Sequence, residues 1–134
     1  MSRENDPRAW QEFARRDLVT ARKLLEWGDY LHCAPLCEQA VEKSLKAVIV
    51  AKTGQLPPRS HNLRKLLKEV DSVPEWVVEK MPDIEAHYFI ARYPADIDLE
   101  FYDQANTQAL LEDAEEICQW LSVQVSELTK SGVS

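Results

Sequence analysis

Apolar residues recur along this chain at intervals of three and four rather than two, and the spacing predicts helices almost from end to end. Trp10, Phe13, Ala14, Leu18, Ala21, Leu24 and Leu25 share one stripe. They mark a first helix that begins near Asp6-Pro7, a cap residue followed by proline at the first helical position, and stops at Gly28. Asp17 falls in the middle of that apolar face. A carboxylate there is costly unless paired, so it predicts a cationic or hydrogen-bonding partner from another helix, with Lys43 as one candidate. The second helix opens after Asp29 and runs to Thr53-Gly54, where glycine supplies the stop. Cys33, Cys37, Ala40, Val41, Ser44, Leu45, Val48 and Ala51 form its apolar stripe, and Glu38, Glu42, Lys43 and Lys46 take the opposite arc. That arc reads as a solvated face, with Lys43 at its margin and Glu42 four residues before Lys46, an ion pair worth roughly 0.3–0.5 kcal/mol. Ile49 and Val50 interrupt the arc near the helix end and point to a covered surface such as a dimer contact.

After "QLPPRSH", a rigid loop, Ser60 is the expected cap of a short third helix over "HNLRKLLKEV". A fourth helical region covers "PEWVVEKMPDIEAHYFIARY" and is expected to break at Pro82, since an interior proline removes a hydrogen bond and clashes with the preceding turn. "ARYPADIDLEFY" reads as a loop in which Ile97, Leu99 and Phe101 alternate in an extended piece. Asp103 caps the last long helix, whose buried face is Leu110, Leu111, Ala114, Ile117, Cys118, Leu121 and Val125. The expectation is an all-α fold: one domain spanning 1–134, an antiparallel up-and-down bundle of four main helices plus a short helix.

Composition narrows the function classes. A chain of 134 residues with 45% hydrophobic content can close one core unaided. No run reaches the roughly 18 apolar residues of a membrane span, and "MSRENDPRAW" lacks the apolar centre of a signal peptide, so a cytoplasmic protein with no membrane partner is expected. Cys33, Cys37 and Cys118 come without CxxC or Cys/His ligand spacing, which predicts buried reduced thiols, no metal and no cofactor. Residues 1–68 carry 13 Lys/Arg against 8 Asp/Glu, giving +5; residues 69–134 carry 3 against 15, giving −12. The halves should attract each other, and Arg15, Arg16, Arg22, Lys23, Arg64, Lys65 and Lys68 are left as a candidate basic patch. The net charge of −7 argues against bulk DNA binding.

There is no Walker loop, Gly-rich dinucleotide turn or HExxH, and three glycines leave little scope for a phosphate-cradling loop. The candidate polar groups are Asp17, Lys43, His61, His87, Arg92, Tyr93 and Asp96. His87 shares helical spacing with Ile84, Tyr88 and Ala91 and reads as a packed core histidine. His61, at a helix start, suits either capping or binding. Arg92, at a helix end, suits either capping of the last carbonyls or anion binding.

"ARRDLVTARKLLEWGDY" at 14–30, "APLCEQAVEKSLKAVIV" at 34–50, "PRSHNLRKLL" at 58–67 and "ARYPA" at 91–95 together resemble the HEPN domain (higher eukaryotes and prokaryotes nucleotide-binding). The resemblance covers nearly the whole chain. It implies a bundle of four main helices with a shorter one, frequent homodimers, and a role with nucleotides or RNA. Some members of that family are toxin ribonucleases, and others sit beside a small nucleotidyltransferase. The ribonucleases carry an arginine followed by a histidine with four to six residues between them, and none of the arginines here has such a histidine. The expectation is a non-nuclease HEPN domain that binds a nucleotide, or an accessory subunit to a small nucleotidyltransferase. No catalytic residue is assigned, and His61, Arg92, Tyr93 and Lys43 are the ligand-binding candidates. His61 and Arg92 are expected to meet at one end of the bundle with Tyr93 alongside. The alternatives are an RNA-cleaving toxin with a rearranged site, His61 acting as acid or base and Arg92 on the phosphate, and a purely structural helical dimer. A homodimer is expected from the surplus apolar residues Ile49, Val50, Trp76 and Trp120.

Overall fold

The structure, a computed structural model, describes residues 3–90, 93 and 99–131. Among these residues five α-helices follow one another: α1 (Pro7–Trp27), α2 (Tyr30–Thr53), the short α3 (Leu63–Leu67), α4 (Glu75–Ile90) and α5 (Gln104–Ser131). Single 3₁₀ turns lie at Arg3–Asn5 and Leu99–Phe101, and there is no strand among the described residues. The fold is the expected helical bundle of four long helices and one short one.

The helix ends follow the local chemistry of their sequence. Asp6 accepts the backbone N–H of Arg8, Pro7 takes the first position, and α1 closes at Gly28. There φ is 82°, and the N–H of Asp29 reaches back to the Leu24 carbonyl at 2.8 Å. Only glycine enters this left-handed region at low cost, so α1 reverses into α2 within two residues. Asp103 caps α5 by accepting the Asn106 N–H at 2.7 Å.

Four local expectations differ from the structure. The cap of α3 is Asn62, which accepts the Lys65 N–H at 3.0 Å, while Ser60 accepts the N–H of Asn62 at 3.1 Å from outside the helix. The helix is one turn, not the whole of "HNLRKLLKEV". α4 runs unbroken through Pro82. Pro82 and Val78 are both on the exposed side, so the Val78 carbonyl that loses its partner faces water, and the helix continues. Leu99 and Phe101 form a 3₁₀ turn, not an extended piece, and Ile97 lies outside the described residues.

α2 is the hub. It packs on α1, α5, α4 and α3, and buried positions occur all around it. This overturns the reading of its charged arc as a wet face: Glu38, Glu42 and Lys46 are 0%, 7% and 6% exposed. Ile49 and Val50 are likewise buried within the single chain, so neither is left over for a second copy. A polar arc shows which side of a helix is less apolar, not whether another helix covers it. Phe13, placed by spacing on the buried face of α1, is 52% exposed and lies under the Lys43 ammonium. Trp120 packs partly against the core, whereas Trp76 stays at the surface.

The remaining core follows the stripes. Val77, Met81 and Ile84 of α4 meet Leu111, Ala114, Ile117 and Leu121 of α5 around α2's Cys37, Val41, Leu45 and Val48. Cys33, Cys37 and Cys118 are buried free thiols, and burial holds Cys118 up at about 12. The opposed charges of the two halves meet as Arg22–Glu115, Arg64–Glu85 and Lys52–Asp71. With Arg15 and Arg16 sharing Glu12, four of the seven residues of the candidate basic patch are engaged by three carboxylates. Among the described residues, no helix is long and apolar enough to cross a membrane.

Candidate functional site at the α2, α3 and α4 junction

Glu38, Glu42 and Lys46 stand one turn apart on α2, a spacing that stacks them along one line of the helix. Glu42 uses both oxygens: Oε2 accepts from Lys46 Nζ at 3.1 Å and Oε1 lies 2.8 Å from His61 Nδ1. An ionised carboxylate only accepts, so Nδ1 of His61 carries a proton and donates it. Lys46 also sits 5.5 Å from the centroid of Trp10, whose indole N–H is tied to the Glu4 carbonyl at 2.7 Å. The charges of Glu42 and Lys46 are thereby matched against each other, as burial requires.

The second wall comes from α4. The Tyr88 ring stacks on His61 with centroids 4.6 Å apart and planes inclined by 23°. Three residues earlier, Glu85 accepts the N–H of Leu63 at 2.9 Å and Nε of Arg64 at 3.0 Å, so it closes the start of α3 from outside. His61 is thus held at one ring edge and one ring face. Its side chain remains 53% exposed, and Nε2 has no hydrogen-bond partner among the described residues.

Of the four ligand-binding candidates, three are described. His61 occupies this junction. Lys43 is bound to Asp17 at 2.7 Å, the interhelical partner that Asp17's place on an apolar stripe required. Tyr93 is 61% exposed, and its N–H donates to the Phe89 carbonyl at 3.1 Å. Arg92 and Asp96 lie outside the described residues. Glu42, Tyr88 and Glu85 did not stand out in the sequence. The signal that would have found Glu42 was a Glu/Glu/Lys series at four-residue spacing on a helix otherwise rich in small apolar residues. No group of three or more potential metal ligands occurs among the described residues.

The HEPN domain model matches residues 7–125, and the chain belongs to the HEPN domain family. Among solved structures it is similar to TT1696 from Thermus thermophilus, with 27% identity and a TM-score of 0.79 over 92% of this chain and 99% of that one. It also shares the fold of ST0689, an archaeal HEPN homologue, at 22% identity and a TM-score of 0.75 over 90% and 98% of the two chains. No curated protein matches at a significant level.

Proposed function

We propose that this HEPN domain binds a nucleotide without cleaving RNA, at the junction of α2, α3 and α4. The observation that carries the reading is the pinned, half-exposed imidazole of His61, fixed by Glu42 and Tyr88 with Nε2 left open. An Nε2 lone pair can accept from a base or a ribose hydroxyl, and a protonated Nε2 can donate to a phosphate oxygen. The exposed Tyr93 offers an aromatic face to a base. Arg92, adjacent to Tyr93 in the chain, is the proposed phosphate contact, for which guanidinium is well shaped. Lys43, held by Asp17, serves the bundle and supplies background charge to the site at most.

A second reading, an accessory subunit beside a small nucleotidyltransferase or a homodimer, is favoured by exposed apolar side chains. Phe89, Leu99 and Phe101 flank the end of α4, and Trp27 is 80% exposed at the end of α1.

Titration of ATP, AMP and a short single-stranded RNA into wild type, His61→Ala and Arg92→Ala separates the two, with thermal unfolding as the control for folding. Saturable binding that weakens in both variants supports the nucleotide site. No binding in wild type, or equal binding in folded variants, removes it in favour of an interaction module.

A further inference from the structure

Between α4, the Leu99–Phe101 turn and the first turns of α5 lies a cavity of about 530 Å³, within the roughly 300–1,000 Å³ common for small-molecule sites. Ile84, Leu110, Phe101 and Tyr102 make its walls apolar and aromatic, and Ala86 and Ala109 keep its mouth open. At its base is His87, which is only 4% exposed.

Nδ1 of His87 is 2.8 Å from the Tyr102 hydroxyl, and the Tyr102 and Phe101 rings stand 5.6 Å and 5.7 Å from the imidazole. Nε2 has no hydrogen-bond partner among the described residues. It is not one of the enclosed polar atoms left without a partner, so it is reached from the cavity and is free to bond a molecule that enters. Nearby, the Asn106 side-chain nitrogen donates to the Phe101 carbonyl at 3.0 Å, which pins the turn to α5 and leaves the amide oxygen as a second polar point.

Charge selects among ligands. Asp83 and Asp113 stand at the mouth, and the only cation among the described lining residues, Lys80, is bound to Asp113. An anion would meet net negative charge on entry. A cation would find its partners only at the rim, since burial keeps the base of the cavity uncharged: it pushes His87 down and the Tyr102 hydroxyl up.

We propose that this cavity is a second binding site, for an uncharged planar heteroaromatic molecule whose polar edge bonds Nε2 of His87 while its ring packs between Phe101, Tyr102 and Ile84. It is distinct from the His61 junction, because none of its described lining residues is His61, Glu42 or Tyr88.

Benzimidazole is a suitable probe: it is neutral above mild acidity and carries one donor and one acceptor, so it pairs with either tautomer of His87. It is titrated into the full chain while the imidazole resonances of His87 are followed by NMR. The expected result is a saturable shift of those resonances. Ala109→Phe, a change at an exposed position that fills the mouth, should abolish the shift. His87→Phe should weaken binding by about tenfold, one hydrogen bond's worth. His61→Ala should leave binding unchanged, so loss of nucleotide binding and loss of this site are told apart. The proposal is overturned by an absence of saturation at millimolar probe, by equal binding in Ala109→Phe, or by tighter binding of the anion indole-3-carboxylate than of benzimidazole.

Discussion

Glu42 and His61 meet at 2.8 Å across the gap between α2 and the loop before α3, and through Glu42 the exposed imidazole is coupled to a buried lysine. One carboxylate therefore both neutralises Lys46 inside the bundle and orients the group offered to a ligand. Its removal should be felt in two separate measurements.

The first is stability. Glu42→Ala leaves the Lys46 ammonium, with a side chain 8% exposed, without its carboxylate, and should cost about 3–5 kcal/mol in urea unfolding. Replacing both members, Glu42→Leu with Lys46→Met, should recover most of that loss, because the desolvation cost of both charges disappears together. A double variant as unstable as the single one would show that the pair does not act as a unit.

The second is the tautomer of His61. With a carboxylate at Nδ1, nitrogen-15 NMR above the histidine titration should find the proton on Nδ1 and a bare Nε2. Glu42→Gln can present an amide N–H in place of an oxygen and should shift the population toward Nε2–H. A predominant Nε2–H form in wild type would contradict the geometry.

Incubated with RNA, the purified protein should show no cleavage above background. The oriented imidazole gives half of an acid–base pair, but the arginine–histidine spacing of the family's ribonucleases is missing, and each such role contributes roughly 100-fold or more. Cleavage that vanishes in His61→Ala would make Glu42 and His61 a catalytic dyad and the domain an enzyme.

His87 should impose a pH dependence of its own. Burial lowers its folded value below the ordinary 6.5, with Asp83 pulling weakly the other way. Below 6.5 the unfolded chain takes up a proton that the folded chain refuses, so stability falls as pH drops from 6.5 toward the folded value. His87→Phe should flatten this segment of the curve. The paired carboxylate of Glu12, which Arg15 and Arg16 hold down at about 2, contributes in a separate window below 4.5.

Asp17 and Lys43 offer a control outside either site. Their side chains are 15% and 23% exposed, so Asp17→Asn should cost about 1.5–3 kcal/mol, more than a solvent-exposed pair. A double-mutant cycle with Lys43→Met should recover a coupling of similar size.

Much of the bundle could be read from residues whose meaning is local. Asp6, Gly28, Asp29, Gly54 and Asp103 mark helix ends by short-range geometry, and the α5 stripe from Leu110 to Val125 is buried as its spacing requires. Asp17 could be read as well, since a carboxylate on an apolar stripe must find a partner. The failures are tertiary. Glu38, Glu42 and Lys46 look solvated on any helical projection, and only the arrival of α1 and α4 over that arc buries them. Pro82 looks like a breaker because its sequence does not say that the bond it removes lies on the wet side. For the same reason His61 was legible as a candidate but its partners were not: Glu42 and Tyr88 are nineteen residues before it and twenty-seven after it.

The abrupt reversal at Gly28 and Asp29 also bears on how the chain assembles. It joins the two most extensively packed helices through two residues, so α1 and α2 can pair after closing a very small loop, whereas α5 must return to α2 from about fifty residues further on. The α1–α2 hairpin is therefore expected to form the folding nucleus, with α5 docking late. Substitutions such as Ala21→Gly should then slow folding, and Leu121→Ala should chiefly speed unfolding. The reverse pattern in stopped-flow measurements would place the nucleus on α5.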